Sequence, residues 1–455
     1  MVHFLKHNYQ DKDYFFLWDV ESGSLHNMDS VAFLCAKKRY DKTLSPNEEI
    51  EYKKISSKDK DEINAFFNQM EESGSLNSPP RVTYFKKNPD IVKALCLNIC
   101  HDCNMRCAYC FAKDGSYNTA KEYMTFEVAK KAVDFLIENS GERKNLEIDF
   151  FGGEPLLNLD VIKKTVEYAK KAAAARGKVF HFTTTTNCAL LDKETADYLN
   201  REMVNIVLSL DGRKATHERV RKCLDKTVKY EDLLKKAVYI KEIRGDKSYY
   251  VRGTFTVKNL DFSKDIIALN DAGFDQISIE PVVLEESSPL AIRKEHIDEI
   301  NKEYERFANI YLDRRKTSKW FNFFHFMVDL DFGPCVNKRL TGCGAGTEYL
   351  SVSPSGEIYP CHQFVGMEDF IIGDVFIGIK RPEIRKKFSE ICVLTKEKCQ
   401  NCFAKYYCGG GCIANAHKFG EGMDAIYELS CHMTKKRLEL SLAIAGIEKL
   451  YSINA

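Results

Sequence analysis

The feature that most constrains the fold is an alternation of short apolar runs with amphipathic segments between residues 94 and about 315. The runs are mostly rich in β-branched or aromatic residues, as buried strands are, and the segments between them carry apolar residues at helical spacing. The strand-like runs are ALCLNI, LEIDFF, VFHFTTTT, VNIVLSL, YYVRGTFTV and QISIEPVV. Repeated βα units predict a parallel sheet, either open and doubly wound or closed into a barrel. In both, ligands bind beyond the carboxyl ends of the strands.

Chemically distinctive motifs follow the first four of these strands. CHDCNMRCAYC follows the first strand, FFGGEP the second, TTN the third and SLDG the fourth. Gly152 and Gly153 would let a ligand approach the backbone closely, and Glu154 beside them could accept from an ammonium group. A tight βα turn with a solvated glutamate is the alternative interpretation of GGE. These loops are predicted to place the site on one face of the sheet.

Composition narrows the class of protein. The chain has 455 residues, more than one hydrophobic core usually serves, so a large domain with one or two smaller ones is expected. Its 67 basic residues balance 66 acidic ones, which gives no bulk charge for binding nucleic acid or a membrane surface. No apolar run approaches the roughly 20 residues of a membrane-spanning helix, and no apolar signal segment opens the chain. A soluble cytoplasmic protein is predicted.

The seventeen cysteines could form disulfides, a structural zinc site or iron-sulfur clusters. A long chain without a secretory signal, whose cysteines are grouped at ligand spacings, favours metal. Cys103, Cys107 and Cys110 form C-x3-C-x2-C, and three thiolates in one loop suit a four-iron, four-sulfur cluster with one open iron. Structural zinc normally needs four ligands. Cys100 is predicted to be a bystander at the strand end, and lone cysteines such as Cys188 are predicted to be core residues.

This first cysteine motif, together with Tyr109 and GGE, resembles the radical S-adenosylmethionine (SAM) superfamily. The resemblance implies that Cys103, Cys107 and Cys110 hold the catalytic cluster, whose open iron binds the amino and carboxylate groups of SAM. It further implies a set of SAM-binding residues: Tyr109, Gly152, Gly153, Glu154 for the amino group, Asn187 near the ribose, and Ser209 and Arg252 for the carboxylate. The alternatives are a strand-end turn at Ser209 and a surface position for Arg252.

The carboxyl-terminal cysteines lie in CGAGTEYLSVSPSGEIYPC and CQNCFAKYYCGGGC, with a final cysteine at 431. Their order resembles the SPASM extension of radical SAM enzymes, which houses two auxiliary clusters; CQNC alone would also fit a zinc ribbon. The resemblance implies three four-iron, four-sulfur clusters in all. It assigns Cys343, Cys361 and Cys412 to the first auxiliary cluster, and Cys399, Cys402, Cys408 and Cys431 to the second. Cys335 either completes the first auxiliary cluster or leaves it an open iron, and the open site is favoured.

The first ninety residues differ in kind from the βα region. HFLKHN, YFFLWDV and SLHNMD predict a three-stranded meander with a turn at ESGS, and two helices follow, around SVAFLCAKKRY and SKDKDEINAFFNQMEE. A small β3α domain resembles the winged-helix-like peptide-recognition element of peptide-modifying enzymes, which binds a leader peptide as an added strand. A simple cap over the barrel is the alternative. The predicted domains are 1–85 for leader recognition, 86–315 for a partial (β/α)6 radical SAM barrel, and 316–455 for a bridging region and SPASM domain, with a linker at 77–90.

The chain as a whole resembles the maturases of six-cysteine peptides, also called ranthipeptide synthases. That resemblance implies an α/β enzyme that installs thioether crosslinks in a ribosomally made, cysteine-rich precursor peptide with a leader. It also implies an electron donor such as ferredoxin or flavodoxin as a partner. Two segments depart from the family pattern: TTNC has Cys188 where a glycine is usual, and RVRKCLDKTVKYED lacks an expected glycine turn. The alternatives are another SPASM enzyme, such as an anaerobic sulfatase-maturating oxidase, or a non-enzymatic iron-sulfur carrier.

Overall fold

The computed structural model of the chain describes residues 1–80, 82–85, 87–330 and 335–453. Two positions of the predicted linker, 81 and 86, therefore lie outside the described residues. Within these limits the strands form a three-stranded sheet, an eleven-stranded sheet and a two-stranded ribbon. The chain is thus of the α/β class, with a central sheet that is largely parallel.

The amino-terminal sheet is the antiparallel meander that the sequence predicts. Its strands are β1 (Val2–Tyr9), β2 (Lys12–Asp19) and β3 (Leu25–Met28). Three helices follow it: α1 (Ser30–Tyr40), α2 (Pro46–Lys54) and α3 (Ser57–Glu72). Sequence reasoning missed α2, which buries no residue and is fixed by a capping box between Ser45 and Glu48.

The large sheet contains all six strands predicted for the βα region. They are β4 (Ala94–Cys100), β6 (Asn145–Gly152), β7 (Val179–Thr186), β8 (Asn205–Ser209), β10 (Tyr249–Phe255) and β11 (Gln276–Pro281). Each pairs in parallel with the next in chain order, as the strands of a partial barrel do. The missed ribbon consists of β5 (Met105–Cys107), inside the first cysteine motif, and β9 (Arg221–Cys223).

Four connecting helices lie where amphipathic segments were predicted: α4 (Phe126–Glu138), α5 (Leu159–Ala174), α6 (Lys193–Glu202) and α9 (Ser263–Asp271). Three further helices were not predicted individually: α7 (Lys214–Val220), α8 (Tyr230–Arg244) and α10 (Ile297–Arg315). Along β6, Leu146, Ile148 and Phe150 are buried, whereas the alternate residues Glu147 and Asp149 face the other side of the sheet. Because side chains alternate between the two faces of a strand, the face that carries Glu147 and Asp149 can line a polar cavity.

The large sheet continues beyond residue 316. On one side β12 (Asn322–Phe323) pairs with β11, and on the other β13 (Tyr349–Val352) pairs in parallel with β4. Three short antiparallel strands extend that second side: β14 (Glu357–Tyr359), β15 (Gly373–Asp374) and β16 (Gly378–Ile379). The predicted third domain thus shares a sheet with the predicted barrel, and the domain boundaries stay predictions.

The remaining helices surround the carboxyl-terminal cysteines. They are α11 (Val336–Thr341), α12 (Pro382–Glu390), α13 (Glu397–Gln400), α14 (Lys405–Cys408), α15 (Ile413–Phe419) and the long α16 (Glu428–Ile453). Helix α16 packs against α10 and the amino-terminal sheet. None of the described helices is both long and apolar enough to span a membrane.

Candidate active site

A cavity of about 790 Å³ opens at the carboxyl ends of the central strands. It is lined by both predicted groups of three cysteines, Cys103, Cys107 and Cys110 from the first motif and Cys343, Cys361 and Cys412 from the carboxyl-terminal region. The predicted SAM-binding residues line it as well: Tyr109, Gly152, Gly153, Glu154, Asn187, Ser209 and Arg252. Residues far apart in the chain are therefore brought to one site.

The first cysteine loop is held by a ribbon as well as by β4. Met105 pairs with Cys223 and Cys107 with Arg221, so the middle of the motif is part of a strand. Two more backbone bonds extend the ribbon, from Leu224 N to the Asn104 carbonyl (2.9 Å) and from Ala108 N to the Val220 carbonyl (2.8 Å). The segment that lacked the expected glycine turn is thus the partner strand of the cysteine loop.

The cysteine thiols suit an iron-sulfur cluster. Burial raises the pKa of Cys103 to about 12 and that of Cys107 to about 11, so both stay protonated until a metal ion displaces the proton. The Met105 N–H points at the Cys103 sulfur, 3.4 Å away, and would stabilise the thiolate once formed. Three partly buried thiols around a shared cavity fit a cluster with one iron facing the cavity.

The GGE motif is packed directly beneath this loop. A Cβ at Gly153 would lie 1.9 Å from the Asp102 carbonyl oxygen, and one at Gly152 would lie 2.4 Å from the Cys100 carbonyl oxygen. Only glycine permits this approach of strand end to cysteine loop. The two glycines therefore allow the cysteine loop to pack directly against the end of β6.

Glu154 is fully buried beside them. Its carboxylate accepts from the Thr186 hydroxyl (2.9 Å), the Asn187 N–H (2.8 Å) and the Leu156 N–H (3.2 Å). Burial raises its pKa to about 7, and these three donors act in the opposite direction. The alternative of a solvated turn glutamate is wrong, because 1% of the residue is exposed.

Asn187, Ser209 and Arg252 occupy the next strand ends. The Asn187 amide donates to Asn104 (2.7 Å) and lies 3.8 Å from the Cys103 sulfur, which ties the third strand end to the cysteine loop. Ser209 ends β8, and Arg252 on β10 keeps 57% of its side chain exposed, 3.8 Å from Glu280. The Arg252 guanidinium is thus available to a ligand in the cavity.

Arg221 is a cavity residue that sequence reasoning missed. Its guanidinium lies 5.5 Å from the centre of the Tyr109 ring and donates to Asp211 (3.0 Å), whose carboxylate also accepts from the Tyr109 hydroxyl (2.7 Å). The Asp211 side chain is fully buried and that of Arg221 is 10% exposed. In sequence, RVRK resembles an ordinary basic surface segment, and only its pairing with the cysteine loop places Arg221 under Tyr109.

The second group of three cysteines is assembled by two glycine turns. Gly409, Gly410 and Gly411 all have positive φ, which glycine adopts readily, and a Cβ at Gly409 would lie 2.2 Å from Gly342 N. This approach brings the CGGGC turn against the segment that carries Cys343. Backbone N–H groups of Ala414 and Asn415 point at the Cys412 sulfur and favour its thiolate, although burial raises its pKa.

Cys399, Cys402, Cys408 and Cys431 form a separate group that does not line the cavity. Burial raises the pKa of Cys399, Cys408 and Cys431, and the neighbouring thiols of the group raise it further. Where the chain is described, no three Cys, His, Asp or Glu side chains converge on the position of a single metal ion. The ligand assignments stay predictions.

Three further cysteines, for which the sequence predicts roles outside the catalytic cluster, lie at different positions in the fold. Cys335 is exposed at the start of α11, outside the lining of the cavity. Cys100 is fully buried at the end of β4, where its thiol donates to the Glu154 carbonyl (3.1 Å). Cys188 is also fully buried and has a φ of +69°, the left-handed conformation in which glycine is usual. The burial of Cys100 and Cys188 agrees with their predicted places at a strand end and in the core, whereas the role of Cys335 stays a prediction.

Comparison with known families identifies the central part of the chain. Residues 97–280 match the model of the Radical SAM superfamily, so this part of the chain is a radical SAM domain. A domain of this family implies one four-iron, four-sulfur cluster and SAM as cofactors, and the cysteine loop, the glycine cradle and Glu154 fit both.

Similar proteins extend the likeness beyond that domain. The chain is 23% identical over 403 residues to the radical SAM cyclopropyl synthase TigE of Paramaledivibacter caminithermalis, a match that covers 81% of this chain and 80% of TigE. It is 25% identical over 337 residues to a cysteine-type anaerobic sulfatase-maturating enzyme of Clostridium novyi, covering 69% of this chain and 86% of that enzyme.

Solved structures share the fold. The structure of anSMEcpe with bound AdoMet superimposes with a TM-score of 0.66 at 17% identity, and the match covers 78% of this chain and 95% of that one. Streptococcus suis SuiB bound to the precursor peptide SuiA gives a TM-score of 0.51 at 16% identity, covering 94% of this chain and 97% of SuiB.

Proposed function

We propose that this protein is a radical SAM peptide maturase that forms thioether crosslinks between cysteine sulfur and carbon in a cysteine-rich precursor peptide. The observation that carries the proposal is the shared cavity, which is lined by the predicted catalytic cysteines and by Cys343, Cys361 and Cys412. A peptide in this cavity would have one residue beside the SAM site and a cysteine beside the second group of thiols. When bound, the catalytic cluster and SAM would supply a 5′-deoxyadenosyl radical that removes hydrogen from a substrate carbon.

The residues of the strand ends would bind and orient SAM. The Glu154 carboxylate would accept from the amino group, and Ser209 and Arg252 would donate to the carboxylate of SAM. Arg221 also lines the cavity, where its guanidinium is paired with Asp211. Asn187 would contact the ribose, while Tyr109, Gly152 and Gly153 shape the floor, with the Tyr109 hydroxyl fixed by Asp211.

The remaining cysteines would hold two auxiliary clusters. We assign the first to Cys343, Cys361 and Cys412, and the second to Cys399, Cys402, Cys408 and Cys431. Cys335 does not line the cavity, whereas Cys343, Cys361 and Cys412 do, and this difference supports its exclusion from the first auxiliary cluster. That cluster would then have three protein ligands and one iron open toward the cavity.

The amino-terminal sheet would bind the leader of the precursor peptide along β3. Strand β1 lies against the barrel, because Asn309 of α10 donates to the Asn8 carbonyl (3.2 Å) and bonds to His7 (2.8 Å). Strand β3 is the other edge of the sheet and can accept an added strand. The likeness to SuiB, whose structure contains a precursor peptide and matches 94% of this chain, supports a peptide substrate. Ferredoxin or flavodoxin is the proposed electron donor.

Cysteine variants of the reconstituted enzyme test the assignment. Replacing Cys103, Cys107 and Cys110 together by alanine should remove about one third of the iron and all cleavage of SAM to 5′-deoxyadenosine, because three clusters share the iron. Cys361→Ala should abolish crosslinking but spare SAM cleavage. Cys335→Ala, the matched control, should leave both iron and crosslinking almost unchanged. SAM cleavage retained by the triple variant would reject the catalytic site.

Mass spectrometry of a co-expressed peptide tests the reaction. A thioether removes two hydrogen atoms from the peptide, blocks alkylation of one cysteine and leaves no aldehyde. The second candidate function is oxidation of a cysteine in the manner of a sulfatase-maturating enzyme, favoured by the likeness to the Clostridium novyi enzyme. That reaction would give an aldehyde that hydrazine reagents capture, and its detection in place of the crosslink would overturn the thioether proposal.

A further inference from the structure

The segment between Cys402 and Cys408 is one of the surfaces that the amino-terminal sheet contacts. The ring of His3 on β1 stacks on Phe403 at 3.6 Å with an interplanar angle of 3°. Trp18 on β2 packs against Tyr407, with ring centres 6.0 Å apart. The sheet therefore touches a loop that carries two cysteines of the Cys399 group.

A buried ion pair joins the same two parts of the chain. Glu21, in the turn after β2, accepts from Lys405 Nζ at 2.6 Å and from the Tyr406 hydroxyl at 2.7 Å. The Glu21 and Lys405 side chains are 2% and 6% exposed. Lys405 Nζ also lies 3.3 Å from the Gln400 carbonyl, between Cys399 and Cys402. The pair thus contacts both the C-x2-C turn and the segment that leads to Cys408.

The turn that presents Glu21 is itself held firmly. The buried Asp19 carboxylate accepts from the Glu21 N–H (2.9 Å) and the Ser22 N–H (3.2 Å) with one oxygen, and from the Ser78 N–H (2.9 Å) with the other. Gly23, with a φ of +77°, completes the turn. Glu21 is therefore presented to Lys405 by a fixed backbone rather than by a mobile loop.

We propose that the amino-terminal sheet is a structural part of the site of the second auxiliary cluster, with Glu21 and Lys405 as positioning residues for its cysteines. The inference rests on the cluster assigned above to Cys399, Cys402, Cys408 and Cys431. A buried charge that loses its partner draws in water or moves away, and here either change displaces the loop that carries the thiols. Cluster binding requires the ligands to be held at defined distances, so the displaced loop binds iron poorly.

The experiment uses the full-length, anaerobically reconstituted protein. Glu21→Gln and Lys405→Met should each lose about one third of the iron, corresponding to one of three clusters, and the electron paramagnetic resonance signals of the other two should persist. Asp13→Asn is the matched control, because it breaks a partly exposed ion pair with Lys6 in the same sheet, and it should retain all the iron.

Full iron and an unaltered spectrum in both Glu21→Gln and Lys405→Met would overturn the inference. Iron loss spread equally over all three clusters would also overturn it, because it would indicate general unfolding rather than a local role. Cys402→Ala in the same series separates this inference from the proposed function. If Cys402→Ala keeps all the iron, the second auxiliary cluster itself is rejected; if it loses one third while Glu21→Gln does not, only the role of the sheet is rejected.

Discussion

At the residue scale, the role proposed for Glu154 predicts that its charge state controls the affinity for SAM. The ionised carboxylate is the better acceptor for the N–H groups of the SAM amino group, and burial raises the pKa of Glu154 to about 7. The ionised fraction grows as pH rises through this value, so affinity for SAM should increase by about tenfold between pH 6 and pH 8. Equilibrium binding of SAM to the reconstituted enzyme measures this. Glu154→Gln should bind weakly and with little pH dependence; an equally steep profile in that variant would assign the titration to another group.

The second prediction at this scale concerns the contribution of the buried Arg221–Asp211 ion pair to stability. The Asp211 carboxylate is fully buried and depends on Arg221 for its opposite charge. Removing one partner of a buried pair leaves an uncompensated charge, so Arg221→Met should lower the free energy of unfolding by about 3–5 kcal/mol. Arg219→Met is the control two residues earlier, where the arginine is exposed and bonds the Lys258 carbonyl. Urea denaturation of the cluster-free protein compares them, and equal destabilisation by both would contradict a special role for the pair.

The juxtaposition of the motifs at one cavity was predictable from local signals. Cysteine spacing and the GGE motif identified residues that lie together, because each motif follows a strand and strand ends of a parallel sheet meet at one edge. Arg221 was missed because its partners Tyr109 and Asp211 lie in other segments. The pairing of β5 with β9 brings Arg221 close to Tyr109 and Asp211. A contact between distant segments of this kind produces no periodic pattern in the sequence.

At the scale of elements, the βα units were predictable because each strand and helix has its own apolar period. The short elements were not: β5 and β9 have three residues each and no period of their own. Helix α2 is equally hard to recognise, since it buries no side chain and depends on its cap. The docking of β2 on the Cys402–Cys408 segment joins residues nearly four hundred positions apart, as in the Glu21 and Tyr406 pair (385 positions).

The edge of β3 carries the prediction for peptide recognition. Asp19 N bonds the Ser24 carbonyl, and because bonded pairs alternate along an antiparallel ladder, the N–H of Asn27 points away from β2. Asn27→Pro removes this donor and should weaken binding of the leader peptide by about tenfold, roughly the value of one lost hydrogen bond. Fluorescence anisotropy with a labelled leader measures the affinity.

The control for the edge variant is a proline placed where it is tolerated. Ser57→Pro puts proline at the first position of α3, after the capping residue Ser56, and should leave peptide affinity unchanged. SAM cleavage without peptide should persist in both variants, since neither position touches the cavity. Unchanged affinity in Asn27→Pro would place the leader elsewhere on the molecule.

At the scale of the whole molecule, the amino-terminal sheet is integrated with the rest of the chain. Phe16 and Trp18 are each 1% exposed, and the Phe16 ring packs so closely on Gly446 of α16 that a Cβ there would lie 2.5 Å from it. On the other side of the sheet, Leu17 packs with Cys35 and Phe67 of the helices. The sheet is therefore a layer between its own helices and α16, and we expect that cutting the chain after this sheet disturbs the rest of the molecule.

This integration predicts the outcome of deleting residues 1–85. The deletion would expose the apolar side of α16 that faces β2, and each large side chain withdrawn from that contact forfeits about 1.5–3 kcal/mol of burial. It would also remove Glu21 and leave Lys405 unpaired beside the Cys399 group. The truncated protein should therefore bind the dye ANS strongly, elute as aggregates in size-exclusion chromatography and carry about one third less iron than the full chain.

Full-length Asn27→Pro should do none of these while still losing peptide affinity, so the point variant separates leader binding from structural support. A monodisperse truncated protein with its full iron content would show instead that the sheet is an independent domain, and deletion would then be a clean test of leader recognition.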